Sequence, residues 1–328
     1  MKNVHVAVLM GGPSAEREVS MHSGAAVVGA LNKAGVRVTP VDVRTHDVEL
    51  PGRVDVVFIA LHGTFGEDGQ VQSLLEARGL PYTGSGVEAS ALAFDKSLAK
   101  KAFIAAGIPT PRHEVVEVLR RDPSWMARLE FPVVVKPARQ GSSVGIRIVR
   151  DAADLEEACR EAWRFDDRLV VEQFIAGREL TVAVFDGRSL PVIEVHPKQA
   201  FFTYEAKYTP GQTEYLVPAP LTALETARAQ FLAMRAHECL GCRDLSRTDM
   251  MMTASGEMFV LEVNTIPGFT ETSLVPKAAR VAGMDFQRVC LRLLEMALAR
   301  AGEPVRARPG DVRRPDLAVL AAAEALAG

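Results

Sequence analysis

Four side chains in the last third of the chain, Arg247, Asp249, Glu262 and Asn264, are spaced so that one short β-ribbon could gather them. Arg247 precedes and the other three lie within TDMMMTASGEMFVLEVN, two β-rich runs separated by Ser255-Gly256, a pair of residues suited to a two-residue hairpin turn. Such a turn sets Asp249 opposite Glu262 and Arg247 opposite Asn264. Side chains alternate faces with period two, so all four leave the ribbon on one face. Two carboxylates beside an amide oxygen suit Mg2+, a hard ion that takes oxygen ligands and completes its octahedron with waters and nucleotide phosphates. Metal and nucleotide are implied together. The plainer reading is a salt bridge from Arg247 to Glu262 or Asp249 on a solvated face, which would suit any hairpin. Asn264 and the TIPGFT loop after it favour a site.

Lys136 ends the apolar run FPVVVKPA, where a lysine needs a partner and a phosphate would provide one. The loop RQGSSVGI follows at once, and its free N–H groups could cover nucleotide phosphates, although such loops are also common turns. GGPSAEREVS at 11–20 is a glycine-rich strand-to-helix turn able to hold an anion at a helix N-terminus, without the GxGxxG spacing that a dinucleotide site needs. The segment TYEAKYTPGQTEY at 203–215 holds three of the four tyrosines and fits either a functional loop or a long surface connection. The seven histidines show no HxxxH or HExxH spacing, and Cys239 and Cys242 form a lone CxxC without a second pair, so zinc sites are disfavoured and two core thiols are expected.

These groups need a scaffold, and the 328 residues imply two or three domains with a cleft between them. From residue 4 to about 93, β-rich runs alternate with helical stretches, as in parallel βαβ units. From 94 to 178 a helix over DKSLAKKAFIAAG precedes strands at FPVVVKPA, VGIRIVR and LVVEQFI. From 179 to 302 two hairpins, turning at Asp186-Gly187 and Ser255-Gly256, point to an antiparallel sheet. The spacing of Phe286, Val289, Cys290, Leu293, Leu294, Ala297 and Leu298 predicts a docked helix. Residues 303–328 read as a linker and tail. Thirty-eight basic against 41 acidic side chains give a charge of -3, which does not favour nucleic acid or an anionic membrane and leaves small-molecule substrates. The absence of an export signal and of any apolar run near ~20 residues predicts a cytoplasmic protein.

Taken together, GGPSAEREVS, ALHGTFGEDG, LPYTGSGVEASALAFDK, KPARQGSSVGI, YEAKY and LEVNTIPGFTETSLVP resemble, in order and spacing, the D-alanine:D-alanine ligase family of the ATP-grasp fold over about residues 4–300. The resemblance implies an α/β (α+β) chain of three domains, with an N-terminal Rossmann-like parallel sheet, a central α+β domain and a C-terminal antiparallel sheet. It implies that Lys96 and Lys136 contact ATP phosphates, that Ser143 belongs to the covering loop, and that Glu172, Phe174, Ile175 and Glu179 frame adenine and ribose. Lys207 would support the γ-phosphate. Asp249, Glu262 and Asn264 would bind two Mg2+ ions, with Mn2+ as a substitute.

By the same resemblance, Glu16 would hold the ammonium of the first D-alanine, with Ser142 and Tyr208 bonded to it across a closing loop and His62 nearby. Arg247 and the Gly268 N–H would form the oxyanion site, and Ser273 with Leu274 would take the second carboxylate. The implied reaction phosphorylates one D-alanine carboxylate and lets the amine of a second attack the acyl phosphate, in a homodimer serving peptidoglycan synthesis. A D-lactate-accepting relative is the nearest alternative, and Tyr208 stands against it because ester-forming relatives typically carry histidine there. A nicotinamide-dependent oxidoreductase and a non-catalytic nucleotide sensor are the competing classes. One departure is GCRDLSRTD, where Asp244 and Leu245 occupy places at which smaller or aromatic neighbours are expected.

Overall fold

Residues 4–119, 123–141, 144–197 and 213–301 are described by the structure, a computed structural model. The first strand, β1 (His5–Gly11), is almost wholly buried, as a strand covered on both faces must be. It turns through Gly11 and Gly12, both at positive φ, into helix α1 (Arg17–Lys33). Strands β2 (Arg37–Val43) and β3 (Val56–Ile59) pair parallel on either side of β1, giving a three-stranded sheet of order β2-β1-β3. Two short helices, α2 (Gln70–Ala77) and α3 (Val87–Phe94), complete this part.

The next helix, α4 (Lys96–Ala105), starts at Asp95, whose side chain accepts from the N–H groups of Ser97 and Leu98. Beyond it lie β4 (His113–Glu117), β5 (Val133–Pro137), β6 (Arg147–Val149), α5 (Leu155–Ala162) and β7 (Arg168–Gln173). The four strands form an antiparallel sheet of order β4-β7-β5-β6. Trp125, Leu155, Cys159 and the inward valines of β5 and β7 fill its core.

The last sheet is built from β8 (Arg178–Phe185), β9 (Arg188–Ser189), β10 (Ile193–Pro197), β11 (Thr213–Leu216), β12 (Leu245–Met252) and β13 (Met258–Asn264). Its order is β11-β10-β8-β12-β13, with β9 paired to β8. Asp186 and Gly187, both at positive φ, make the expected two-residue turn, with Phe185 opposite Arg188. Helix α6 (Ala223–Cys239), opened by a Thr222–Glu225 capping box, covers one face of the sheet. Helices α7 (Leu274–Val281) and α8 (Phe286–Ala301) follow. Leu293 and Leu294 of α8 join Val6, Val8, Val27 and Phe185 in one core, so the end of the described chain closes over its beginning.

The second hairpin corrects the sequence reading. Thr253 and Glu257 close a five-residue connection, with Thr253 N–H bonded to Glu257 O at 2.8 Å, instead of a two-residue turn at Ser255-Gly256. Met252 then faces Met258 and Met250 faces Val260, one step off the expected register. A bulge between these pairs and Asp249–Glu262 takes up Leu261 and restores the expected pairing at the far end. The core explains why: Met258, Val260 and Val263 all pack under α6, and three positions separate the last two. Without the extra residue, Glu262 and Asn264 would face that core.

Two features of this scaffold have measurable consequences. His237 on α6 is buried with Nδ1 2.7 Å from Ser246 Oγ, and burial pushes it down to about 4. An unfolded chain takes up that proton near pH 6.5 and the folded one does not, so stability falls on acidification from about 6.5 to 4, by about 3 kcal/mol in total. Melting temperature should therefore fall less steeply between pH 7 and 4.5 in His237→Gln than in the parent, and parallel slopes would refute the assignment.

Asp244, the noted departure, sits at φ +61, a left-handed conformation that Asp tolerates better than most residues. Its carboxylate accepts from Gly84 N–H at 3.0 Å and from Arg300 Nη1, while Arg300 Nη2 donates to Tyr82 O at 2.9 Å. The residue thereby ties the six-stranded sheet to the N-terminal segment and to α8. Asp244→Ala should lower unfolding free energy by about 3 kcal/mol, and Asp244→Gly by about 1 kcal/mol less because glycine accepts the backbone. Urea unfolding of the two variants checks that order.

The described residues contain no helix long and apolar enough to cross a membrane. All four cysteines are free thiols, and burial raises Cys239 to about 11 and Cys242 to about 12, so both stay protonated and inert near neutrality.

Candidate active site

The bulge gathers the ribbon's polar side chains on the face away from α6. Arg247 donates to both oxygens of Asp249, from Nε at 2.8 Å and Nη2 at 2.6 Å. Asn264 Nδ2 adds a bond to Asp249 Oδ2 at 3.1 Å, and Thr181 of β8 donates to Oδ1 at 2.6 Å. Glu262 lies beside Asp249 across the strands and meets Lys96 Nζ at 3.1 Å. The Arg247–Asp249 salt bridge that the plainer reading anticipates is present, but it is not on a solvated face, since Asp249 is buried. Each carboxylate is balanced by a cation.

This donor set fits Mg2+. Two carboxylates and an amide carbonyl share one face, and the Asn264 nitrogen is committed to Asp249, which leaves its carbonyl oxygen as the ligating atom. No group of three or more His, Cys, Asp or Glu among the described residues is arranged to hold a metal unaided, so phosphate oxygens and water would complete the shell.

Lys96, the first residue of α4, joins this ribbon to the central sheet. Its backbone N–H donates to Ala138 O at 2.9 Å and its ammonium to Gln140 O at 2.6 Å, both just after β5. Lys136 on β5 is 9% exposed and paired with Glu172 Oε1. Lys100 Nζ lies 2.7 Å from Oε2 of the same carboxylate, without hydrogen-bond alignment. Burial works to raise Glu172, and the Lys100 and Lys136 charges overcome it, holding the carboxyl at about 2. Burial would likewise lower Lys136, yet Glu172 and Glu262 raise it above the ordinary lysine value. For Lys100 burial wins and the shift is downward.

Phe174, Ile175 and Glu179 lie on the strip from β7 into β8 that links the two antiparallel sheets. Phe174 N–H donates to Pro132 O at 3.1 Å, Ile175 is buried, and Glu179 stands opposite Val195 and Met251.

A second group of residues approaches from the N-terminal sheet. Glu16 precedes α1, and a Cβ on Gly63 would lie 2.7 Å from its Oε2, while one on Gly141 would lie closer still. At Gly63 the positive φ of +71 adds to the crowding and favours glycine, whereas a side chain at Gly141, just before Ser142 and Ser143, would have to displace the Glu16 carboxylate. Buried His62 has Nδ1 2.9 Å from Ile266 O, so this nitrogen carries the proton. Nε2 then accepts from Ser23 Oγ at 2.8 Å, and the same hydroxyl accepts from Phe269 N–H at 3.2 Å. His62 thus fixes the loop that contains Gly268. Glu67, 3.9 Å from His62, is raised by burial and also by the Glu16 charge, against hydrogen bonding from His62.

Past that loop, Ser273 begins α7 without capping it, because its hydroxyl bonds Thr270 N–H and Thr270 Oγ1, each at 2.9 Å. The N–H groups of the first turn, Leu274 included, therefore lack a side-chain cap and can receive an anion.

The structure thus places Lys96, Asp249, Glu262, Asn264 and Arg247 together, groups Lys136 with Glu172, and links His62 to the Gly268 loop. Ser142, Ser143, Lys207 and Tyr208 lie outside the described residues, as does most of the 203–215 loop. Sequence reading passed over Lys100, Thr181, Glu67 and Ser23. Lys100 had a usable signal, since it follows Lys96 by one helical turn and shares its face. Thr181, Glu67 and Ser23 are polar residues in otherwise ordinary strand, loop and helix text.

Residues 103–295 match the family described as D-ala D-ala ligase C-terminus, and residues 44–85 match D-ala D-ala ligase N-terminus. The D-alanine–D-alanine ligase of Syntrophotalea carbinolica is 52% identical over 299 residues, covering 90% of this chain and 96% of that one. That of Methylacidiphilum infernorum is 45% identical over 296 residues, with 90% and 96% covered. Among solved structures, the D-alanine–D-alanine ligase from Bacillus anthracis complexed with ATP matches with TM-score 0.78 and 31% identity, over 90% of this chain and 98% of that one. The VanG D-Ala:D-Ser ligase from Enterococcus faecalis matches with TM-score 0.80 and 30% identity, over 90% and 99%. Parallel and antiparallel sheets in this arrangement define an α/β protein of the ATP-grasp class. Within that class, the chain belongs to the D-alanine–D-alanine ligase family.

Proposed function

We propose that this protein joins two D-alanine molecules into D-alanyl-D-alanine with conversion of ATP to ADP and phosphate, for peptidoglycan precursor synthesis in the cytoplasm. The observation that carries the proposal is the shared face of Asp249, Glu262 and Asn264, bordered by Lys96 and Arg247. Magnesium held by those three residues, two ions in our reading with manganese able to substitute, would neutralise phosphate charge during transfer.

The protein's own groups divide the remaining work. Lys96, Lys136 and Lys207 hold the phosphates under the Ser143 loop, while Glu172, Phe174, Ile175 and Glu179 frame adenine and ribose. Glu16, with Ser142, Tyr208 and His62, orients the first D-alanine so that its carboxylate meets the γ-phosphorus. The second D-alanine docks its carboxylate on Ser273 and Leu274, and its amine attacks the resulting acyl phosphate. Arg247 and the Gly268 N–H then stabilise the tetrahedral oxyanion. An acyl phosphate hydrolyses readily, so a closing segment is required, and we assign that task to residues 203–215. The division into 1–93, 94–178, 179–302 and the tail 303–328 is part of the same reading, supported by the three separate sheets, as is a homodimeric assembly, which rests on family resemblance.

The likeness to a D-Ala:D-Ser ligase makes D-serine a second acceptor to test beside D-lactate. ADP release and product mass, measured with D-alanine alone and with D-serine or D-lactate added, decide between them. D-alanyl-D-alanine as the dominant product is expected, and a dominant mixed product would overturn the assignment. Failure of D-alanine to stimulate ADP release would remove the ligase reading altogether.

A further inference from the structure

Lys100 is a buried cation to which the mechanism above gives no task. It is 1% exposed and leaves the same face of α4 as Lys96, one turn later. Besides its contact with Glu172, it donates to Thr110 Oγ1 at 2.7 Å. That hydroxyl donates in turn to Val260 O at 2.8 Å, and Val260 N–H donates to Pro109 O at 2.8 Å. Val260 belongs to β13, two positions before Glu262, at the edge of the bulge. Helix α4 therefore reaches the metal-binding strand twice, directly through Lys96 and through the Lys100–Thr110 relay. It reaches Glu172 of the nucleotide strand β7 through Lys100.

The division of Glu172 between two lysines matters for phosphate binding. One lysine on one buried carboxylate makes a closed pair, and an arriving phosphate then competes with that carboxylate for the ammonium. Here Lys136 contacts Oε1, and Lys100 lies 2.7 Å from Oε2. Glu172 is thus prevented from turning wholly onto Lys136, whose ammonium keeps hydrogen-bonding directions for another anion. A sheet core without this junction would fold with an aliphatic side chain at 100, and the expense of burying an ammonium there is hard to explain by packing alone.

We propose that Lys100 is a positioning residue for the nucleotide: it fixes the Glu172 carboxylate so that Lys136 remains available to an ATP phosphate, and it ties that arrangement to β13 through Thr110. This rests on the ATP-dependent reading of the site.

The test is titration of ADP into the full-length protein by calorimetry, with D-alanine KM measured beside it. Lys100→Met should weaken ADP binding by at least about 10-fold while D-alanine KM stays within about twofold. Thr110→Val, which keeps the buried charges and removes only the relay, should weaken ADP binding by a few-fold and serves if the first variant fails to fold. Unchanged ADP affinity in the folded variants would overturn the proposal. Equal losses in ADP affinity and D-alanine KM would overturn it as well, since they indicate a loosened fold. A parent protein that binds no ADP would instead overturn the functional reading beneath it, so the two failures are distinguishable.

Discussion

Glu262→Gln is expected to lower kcat by about 10²–10³-fold, the scale on which a preorganised charge at a phosphoryl- and acyl-transfer centre acts. The amide keeps the size of the side chain and one oxygen but loses the charge we assign to divalent-cation binding, so the magnesium concentration for half-maximal rate should also rise. Folding should hardly change. The Lys96–Glu262 contact at 3.1 Å joins a partly exposed carboxylate to a buried ammonium that keeps its bond to Gln140 O at 2.6 Å, so losing the charge should cost about 1 kcal/mol. Activity and stability therefore separate: a large fall in kcat with a melting temperature within a few degrees of the parent. Retention of kcat within twofold would remove Glu262 from the metal site, and with it the main support for the ribbon as the reacting centre.

The pairings that make this prediction possible were legible in the sequence for a reason only half right. Alternation and a turn at Ser255-Gly256 put Asp249 opposite Glu262, and the structure has that pair. The real connection is longer and shifts the register by one, and the bulge at Leu261 shifts it back. Neither departure has a local signal, because a bulge is set by what the strand must pack against, here α6 through Met258, Val260 and Val263. The turn at Asp186-Gly187 was readable outright, since both residues tolerate positive φ and the flanking strands alternate. Helix α8 was readable for a similar reason, its apolar stripe being strictly periodic. The short helix α3 within SGVEASALAF was not read, since its eight residues lack a polar face to mark the period. The same limit applies to site residues. Lys136 betrayed itself by ending a hydrophobic strand, whereas Lys100 could be placed on the face of Lys96 by its spacing, but its pairing with Glu172 shows only when β7 is brought beside the helix.

That junction carries the largest stability effect. Glu172→Gln should lower unfolding free energy at pH 7 by about 3–5 kcal/mol, because it leaves two buried ammoniums without the anion between them. Urea unfolding measures the loss, and a change under about 1 kcal/mol would mean that water or another group already balances these lysines. Acid gives an independent handle on the parent. Glu172 is held at about 2 in the folded chain against an unfolded value near 4.5, so its contribution is complete above about 4.5 and disappears as pH falls from there toward 2. The variant lacks that group and should show a shallower acid limb. Its alkaline side should differ in the opposite sense. With Glu172 neutralised, burial acts on Lys100 unopposed by its nearest carboxylate and drives its folded value further below that of the unfolded chain. Between neutrality and about pH 10 the unfolded variant then holds more protons than the folded one, so its stability should rise with pH relative to the parent. A variant that is weak in acid and partly restored in base would identify the uncompensated charge itself, and not lost packing, as the cause, since a packing defect has no reason to follow pH.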